Sequence, residues 1–357
     1  MEKQFKVFKN KKILITGHTG FKGSWLTLWL SNIGAKVYGI SLKTKGINHF
    51  SSLKIKGVKS NYFDIKDQNK IKKVFKIIKP DFVFHLAAQA LVKQSYKNST
   101  ETFLSNSIGT LNILEGLKSL KNNCTAIIIT SDKVYKNFEV KRGYKESDVI
   151  GGQDPYSASK GCAELIIESY FLSFLKKNKN LRIAVARAGN VIGGGDWSRD
   201  RLIPDCAKSW KNKKPVTLRN PNSTRPWQNV LDVVRGYMVL AKTLKKNSKI
   251  NGKPFNFGPQ SDENYTVIDV IKLLKKNWSK FYFKIKNSKK NYKEANLLKL
   301  NSSKANKLLK WKCALKFKQS VELTANWYKN FYITKNAKKA SLITLENYRY
   351  YLNKQKN

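Results

Sequence analysis

Two short stretches of the chain carry side chains suited to acid–base chemistry. Tyr156 and Lys160 lie four residues apart, so on a helix they share one face, one turn from each other. A phenol with a pKa of about 10 is a poor base at neutral pH, and a nearby ammonium group favours the phenolate. Lowering the pKa of Tyr156 by about 3 units requires about 4 kcal/mol. We expect Lys160, together with the positive ring of a bound cofactor, to supply this energy in a desolvated pocket.

The second stretch is Thr130-Ser131-Asp132-Lys133, which follows a β-branched run and precedes Tyr156 by one loop. A Tyr–Lys pair at this spacing occurs by chance in many helices, and the polar stretch close before it favours a functional role. The alternative for Asp132 is a capping aspartate at the end of a strand.

A glycine-spaced turn near the start of the chain lies between a short apolar run and a helix. Gly17, Gly20 and Gly23 stand at three-residue intervals. The first suits a tight turn, the second lets the backbone approach a phosphate, and the third lets the helix pack closely on its strand. A helix that opens there directs free N–H groups and the positive end of its dipole at an anion. This context predicts nucleotide binding rather than a purely structural turn.

Short apolar strands alternate with longer helices through most of the chain, which predicts the α/β class with a Rossmann-type doubly wound parallel sheet. We expect a nucleotide-binding domain over residues 8–188 with a returning segment at about 228–260. A smaller C-terminal substrate-binding lobe over 189–335 is interleaved with it, and 336–357 is expected to be a peripheral tail.

The chain has a net charge of +47, from 70 Lys and Arg against 23 Asp and Glu. Most of the excess is Lys spread along all 357 residues, which indicates compositional drift rather than a specific nucleic-acid surface, although weak, salt-sensitive binding to polyanions is expected.

Four scattered cysteines and three histidines predict neither a disulfide framework nor a metal site. Without an apolar leader or a membrane-length run, the chain is expected to be cytoplasmic, with no membrane partner.

Several motifs of the chain together resemble a known enzyme superfamily. The turn and the Tyr–Lys pair, with Leu86 to Gln89 and Asn106 to Thr110, are similar to the extended short-chain dehydrogenase/reductase superfamily. Within it, the chain resembles the CDP-glucose 4,6-dehydratases over roughly residues 10 to 330. The stretches that carry this closer resemblance are His18 to Trp25, Ser131 to Tyr135, Gly189 to Trp197, Arg201 to Asp205 and Arg225 to Gln228.

The resemblance implies NAD as the cofactor and names residues for it. The cofactor-binding residues implied are Thr16, Gly17, Gly20, Phe21, Lys22, Gly23, Asp64, Ile65, Ala87, Ala88, Gln89, Asn106, Thr130, Tyr156 and Lys160. One departure concerns the second strand, where the Rossmann pattern has an acidic residue for the ribose 2′-hydroxyl. Here Ser41, Leu42 and Lys43 follow, and a lysine can also accept the 2′-phosphate of NADP.

The implied reaction is an internal redox cycle in which Tyr156 takes the 4-hydroxyl proton, beside Ser131, while hydride leaves C4. Water is then eliminated across C5–C6 and hydride returns to C6. Asp132 is the implied acid for the 6-hydroxyl, which requires burial to raise its pKa. Related TDP-glucose enzymes have a Glu as the C5 base where this chain has Lys133, so Lys133 is either that base or a residue that orients water or sugar.

The implied substrate is CDP-glucose or a similar nucleotide sugar, as in the deoxysugar biosynthesis of lipopolysaccharide O-antigens. Forked guanidinium groups suit a diphosphate, so Arg201, Arg219 and Arg225 are expected to bind the substrate. The alternative for Arg201 and Arg219 is surface charge or a structural salt bridge. Asn190 is expected to bind the diphosphate or the sugar. Residue 229 is Asn where the resembling enzymes usually have His. A homodimer or homotetramer is expected, with helices 102–119 and 161–174 at the interface. The alternatives are a nucleotide-sugar 4-epimerase and a non-catalytic nucleotide-binding protein on the same fold.

Overall fold

A parallel sheet forms the centre of the molecule. The computed structural model describes residues 2–44, 46–198, 200–218, 220–259, 265–286 and 297–355. Within these ranges the strands are β1 (Lys12–Thr16), β2 (Lys36–Ser41), β3 (Lys59–Tyr62), β4 (Phe82–His85), β5 (Cys124–Ile129), β6 (Leu181–Ala188), β7 (Val191–Ile192), β8 (Val216–Leu218), β9 (Thr224–Arg225), β10 (Gln228–Asn229), β11 (Pro254–Phe257), β12 (Tyr265–Thr266) and β13 (Phe283–Ile285).

Helices cover both faces of this sheet. They are α1 (Phe21–Asn32), α2 (His49–Leu53), α3 (Gln68–Ile78), α4 (Val92–Lys97), α5 (Ser99–Phe103), α6 (Gly109–Lys118), α7 (Pro155–Tyr170), α8 (Leu202–Lys211), α9 (Val230–Lys246), α10 (Val267–Asn277), α11 (Ser303–Leu309), α12 (Phe317–Thr334) and α13 (Ala337–Lys354). Two π turns extend these helices: Leu104–Ile108 joins α5 to α6, and Phe171–Leu175 follows α7. No helix of the described ranges is long and apolar enough to cross a bilayer.

The seven-stranded sheet has the order β11-β6-β5-β4-β1-β2-β3, and every neighbouring pair is parallel. The strand order reverses between β1 and β4, where Ile15 lies opposite Phe84. In a doubly wound sheet, ligands bind beyond the carboxyl ends of the strands at this reversal. The fold class predicted from the sequence is confirmed.

The expected division at residues 188 and 189 stays a prediction, and the packing around it is continuous. After β6 the chain forms β7, which pairs with β10, and then returns through α9 to β11 at the edge of the sheet. One apolar core includes residues from both parts, such as Trp25 on α1 and Trp327 on α12, each 0% exposed.

The end of the chain differs from the expectation of a peripheral tail over 336–357. Its described part forms α13, and Tyr348 on this helix is 0% exposed. The Tyr348 hydroxyl donates to the buried Asp232 carboxylate at 2.7 Å and accepts from Arg235 Nε at 2.8 Å. The last helix is therefore attached to α9. The many polar residues on its exposed face led to the expectation of a peripheral tail, although its other face is buried.

Candidate active site

The glycine-rich turn joins β1 to the N-terminus of α1. Gly17 has a φ of +74°, and a Cβ there would come within 2.8 Å of the Ala87 backbone nitrogen. A Cβ at Gly23 would lie 2.1 Å from the Gly17 carbonyl oxygen. Because no side chain fits at either position, the free N–H groups of α1 stay open to an anion at the strand reversal. This is the cradle that a dinucleotide pyrophosphate requires.

The loop after β4 forms the opposite wall and is held by buried polar side chains. Asn106, in the first π turn, accepts from the Gln89 N–H at 2.9 Å and donates to the Gln89 carbonyl at 3.1 Å and to Ser159 Oγ at 2.9 Å. The sequence predicted a cofactor contact for Asn106, which is 1% exposed and whose amide is engaged by these groups. These bonds hold the backbone of Gln89, which follows Ala87 and Ala88, and the predicted cofactor contact of Asn106 stays a prediction.

Two predicted cofactor residues have hydroxyl groups that bond within the protein. The Thr16 hydroxyl pairs with His85 Nδ1 at 2.6 Å and accepts from the Ala87 N–H at 3.2 Å. The Thr130 hydroxyl donates to Glu164 at 2.6 Å. Burial lowers the pKa of His85 to about 3, so this histidine is a neutral link between strands.

The expected adenosine side lies at the carboxyl end of β2. Ser41 Oγ and Thr19 Oγ1 are 2.5 Å apart, and Lys43 is exposed. Asp64 accepts from the Lys66 N–H at 2.9 Å, and Ile65 is buried with its carbonyl bonded to Asn112 at 3.0 Å. Hydroxyl groups therefore stand where the usual pattern has a carboxylate.

Ser131, Asp132 and Lys133 follow β5 in a single turn of 3-10 helix. The Ser131 hydroxyl donates to Asp132 Oδ1 at 2.9 Å and accepts from the Lys133 N–H at 3.2 Å. Asp132 is 4% exposed, and its Oδ2 would lie 2.8 Å from a Cβ added at Gly189. Desolvation by burial raises the pKa of Asp132, against the opposing effect of Lys133. The direction is the one expected of a group that must hold a proton at neutral pH.

Tyr156 and Lys160 lie in the first two turns of α7, which Asp154 caps by accepting from the Ser157 N–H at 3.0 Å. Tyr156 is 8% exposed and Lys160 is 5% exposed. Burial raises the pKa of Tyr156 to about 12, and its hydrogen bond with Ser131 only partly opposes this. Among the protein's own groups, desolvation outweighs the favourable charges, and the expectation that Lys160 and the ring of a bound cofactor together lower this pKa stays a prediction.

Lys22, at the start of α1, belongs to the same electrostatic cluster. Burial and the like charge of Arg201 lower the pKa of Lys22 to about 8, while Asp132 opposes the decrease. Burial and Lys22 lower the pKa of Lys160 to about 8 as well. The structure therefore brings the glycine-rich turn, the turn that carries Asp132 and helix α7 into one charged cluster, which the spacing of these segments in the sequence did not indicate.

The predicted diphosphate-binding residues come from the irregular segments after β6. Arg201 Nη1 pairs with Asp196 at 3.3 Å. Arg225 lies in β9, donates to the Thr224 carbonyl at 2.8 Å, and its charge acts on Asp132. Asn190 accepts from the Gln228 N–H through its carbonyl at 3.1 Å. Arg219 lies outside the described residues.

Asn229, which occupies the position where the resembling enzymes usually have His, caps the N-terminus of α9. Its side chain accepts from the Leu231 N–H at 3.0 Å, and it is 1% exposed. The described residues contain no group of three or more His, Cys, Asp or Glu side chains placed to hold a metal ion.

Glu164 was missed by sequence reasoning. It lies one turn beyond Lys160 on α7, is 6% exposed, and forms a buried ion pair with Arg187 on β6. The i, i+4 spacing to Lys160 was the available signal. Only the structure shows that the carboxylate also accepts a hydrogen bond from Thr130, next to the turn that carries Asp132.

Comparisons with known proteins agree with this geometry. A family model described as GDP-mannose 4,6 dehydratase matches residues 14–324. The chain is 39% identical over 328 residues to a CDP-glucose 4,6-dehydratase of Salmonella typhimurium, covering 90% of this chain and 91% of that one. It is 25% identical over 339 residues to a UDP-glucose 4-epimerase of Mycoplasma genitalium, covering 90% and 97% of the two chains.

Solved structures share the fold. An epimerase of Methanothermobacter thermautotrophicus superposes with a TM-score of 0.82 at 24% identity, covering 93% of this chain and 96% of that one. A dTDP-glucose 4,6-dehydratase of Bacillus anthracis, in complex with NAD, superposes with a TM-score of 0.75 at 20% identity, covering 90% and 97%. The resemblance predicted from the motifs is confirmed, and the chain belongs to the GDP-mannose 4,6-dehydratase family.

Proposed function

We propose that this protein is an NAD-dependent lyase that converts CDP-D-glucose to CDP-4-dehydro-6-deoxy-D-glucose. The observation that carries the proposal is the buried Asp132 carboxyl, whose pKa is raised and which Ser131 connects to Tyr156. An enzyme that only oxidises and reduces C4 does not need such an acid. CDP-glucose as the substrate is supported by the 39% identity to the Salmonella enzyme.

The residues present fit NAD. The closely packed glycines leave space for a pyrophosphate at the N-terminus of α1, and Gln89, Asp64 and Ile65 line the neighbouring strand ends. NAD is proposed over NADP, and the hydroxyl groups of Ser41 and Thr19 take the place of the usual ribose-binding carboxylate. When bound, NAD supplies a hydride acceptor and donor and a cationic ring that favours the phenolate of Tyr156.

Tyr156 acts as the base for the 4-hydroxyl proton. Its hydroxyl lies beside Ser131, whose Oγ can also bond the sugar 4-oxygen. Lys160 supplies positive charge from the next turn of α7. Burial raises the pKa of Tyr156 to about 12. Loss of the phenol proton therefore requires the positive charge of Lys160 together with that of the bound cofactor.

Asp132 and Lys133 act after C4 has been oxidised. The ketone acidifies the C5 hydrogen, the neutral amine form of Lys133 removes it, and the protonated Asp132 carboxyl donates its proton to the departing 6-hydroxyl, which leaves as water. Lys133 is half-buried and follows Asp132 in the same turn, where its charge acts on the Asp132 carboxyl. The second possibility for Lys133, orienting a water or the sugar, leaves the base to a bound water.

Arg225, Arg201 and Asn190 are proposed to bind the substrate diphosphate and sugar. The charge of Arg225 acts on Asp132, and that of Arg201 acts on Tyr156. These couplings support a diphosphate that enters beside the catalytic groups. Arg219 is proposed as a further ligand from the sequence alone.

The second candidate function is a nucleotide-sugar 4-epimerase, a class to which the Mycoplasma relative of 25% identity belongs. It would use Tyr156 and Lys160 in the same way and leave Asp132 without a chemical task. The sequence also offered a non-catalytic nucleotide-binding protein; the 39% identity to a CDP-glucose 4,6-dehydratase and the burial of Tyr156 and Lys160 in one charged cluster argue against it.

We also propose that the protein is a cytoplasmic homodimer or homotetramer that serves deoxysugar biosynthesis for lipopolysaccharide O-antigens. Large apolar side chains are exposed along the helices from α5 to α6 and from α7 into its π turn: Phe103, Leu104, Ile108, Leu165, Leu172 and Phe174. Light scattering of a Leu172→Lys variant should show a smaller assembly, because the charge would be buried in the interface. An unchanged mass would contradict this interface.

The test of function is to incubate the protein with NAD and CDP-glucose, TDP-glucose or GDP-mannose, without reductant, and to follow the 4-keto-6-deoxy product by its absorbance in alkali. Product from CDP-glucose alone supports the whole proposal. Product from another sugar keeps the reaction and changes the substrate. Interconversion at C4 without this product would identify an epimerase, and NAD binding without any conversion would identify a binding protein.

A further inference from the structure

A buried polar network lies behind the catalytic groups and joins three elements. Glu164 on α7 accepts hydrogen bonds from Arg187 Nε at 2.8 and 3.0 Å, and a further one from Arg187 Nη2. It also accepts from the Thr130 hydroxyl at 2.6 Å. The side chains of Glu164 and Arg187 are 5% and 4% exposed. Arg187 donates onward to the Tyr135 hydroxyl at 2.7 Å.

This network spans the two segments that must act together. Thr130 directly precedes the turn that carries Asp132, and Glu164 lies one turn beyond Lys160 on the helix that carries Tyr156. A carboxylate held by four hydrogen bonds is fixed in place, so the end of β5 is tied to α7.

Titratable groups on three elements interact with Lys160. Burial and Lys22, at the start of α1, lower the pKa of Lys160, and Glu164 on its own helix opposes this decrease. On β4, the charge of Lys160 lowers the pKa of His85, which is neutral at physiological pH. Glu164 is therefore the negative charge that opposes the like-charge repulsion between Lys22 and Lys160.

We propose that Glu164 is a positioning residue of this enzyme: it fixes the acid-bearing turn relative to the catalytic helix and holds Lys160 in its cationic form. The proposal deepens the proposed function, on which the role of Lys160 rests. The competing explanation is an ion pair that contributes only to folding. The two differ in what happens to Lys160 when the ion pair is removed without leaving a buried charge.

Glu164→Gln is the direct test because it keeps the shape of the side chain and removes its charge. It leaves Arg187 buried without a counterion, which by itself can destabilise the fold. The second variant therefore combines Glu164→Gln with Arg187→Met, so that no unpaired charge remains. Glu322→Gln, on α12, is the matched control for loss of one glutamate at a site where it pairs only loosely with Lys318.

Two readouts are measured across pH 6 to about 10: the kcat for the sugar that the unmodified protein converts, and the Kd for NAD from tryptophan fluorescence. We expect the alkaline limb of both profiles to move to lower pH by on the order of one unit in the single and double variants. Because Lys160 loses its proton earlier without Glu164, NAD affinity at pH 8 should fall several-fold. The control should keep the original profiles.

The double variant decides the outcome. If the double variant has the melting temperature and the pH profiles of the unmodified protein, Glu164 acts only through folding and the proposal is overturned. If it is stable and its profiles stay displaced, Glu164 acts on Lys160. Should the unmodified protein convert none of the sugars, the NAD profiles still decide the role of Glu164, so failure of the proposed function is distinguishable from failure of this inference.

Discussion

Replacing Asp132 by Asn should separate the two halves of the reaction. The carboxyl is 4% exposed, and its Oδ2 would lie 2.8 Å from a Cβ added at Gly189. An isosteric Asn fits this space and retains hydrogen bonding to Ser131, but it cannot give up a proton to the 6-hydroxyl. A positioned general acid contributes about 10²- to 10⁴-fold, or about 3 to 5 kcal/mol of barrier. We expect product formation to slow by this factor while oxidation at C4 remains near its original rate.

The assay is a single turnover with excess enzyme, in which absorbance at about 340 nm follows reduced cofactor and quenched samples follow the 4-keto-6-deoxy product. In Asp132→Asn the reduced cofactor should form normally and persist. In the unmodified protein the elimination rate should fall as pH rises through the raised pKa of Asp132, because only the protonated carboxyl is an acid. The variant should lack this dependence.

The matched control is Asp148→Asn, which removes a carboxylate that pairs with Arg142 near the protein surface. It should leave both phases unchanged. Equal slowing of oxidation and elimination in Asp132→Asn would refute the assignment, because it would show a general role in substrate binding or folding. An unchanged product rate would equally remove Asp132 as the acid.

Three further predictions address the base, the turn and the last helix. Tyr156→Phe should abolish turnover while NAD still binds by calorimetry, and persistent turnover would remove Tyr156 as the base. Gly23→Ala should weaken NAD binding at least tenfold, or prevent folding, because its Cβ would lie 2.1 Å from the Gly17 carbonyl oxygen; an unaltered Kd would contradict the turn geometry. Tyr348→Phe should lower the free energy of unfolding in urea by about 1–3 kcal/mol, since it strips a hydrogen bond from a buried carboxylate. Tyr350→Phe, at a side chain that is 56% exposed, should cost less than about 0.5 kcal/mol, and equal losses would refute the role of the buried bond.

Local signals were sufficient for the fold class. The alternation of β-branched runs with helices predicted the parallel sheet, and the spacing of Gly17, Gly20 and Gly23 predicted where α1 opens. Both depend on backbone geometry within a few residues, which the sequence encodes directly. The same argument failed for α13, because its buried face matches partners on α9 that lie about a hundred residues away.

The chemical groups of the site could be predicted from local sequence: a phenol and an amine one helical turn apart, and a carboxyl after a strand. Their protonation could not, because it depends on the packing of the whole fold. Burial raises the pKa of Tyr156 to about 12. The fold also brings Lys22, on the first helix, close enough for its charge to lower the pKa of Lys160. Desolvation and long-range charge depend on atoms from every part of the chain, so no spacing within one segment can report them.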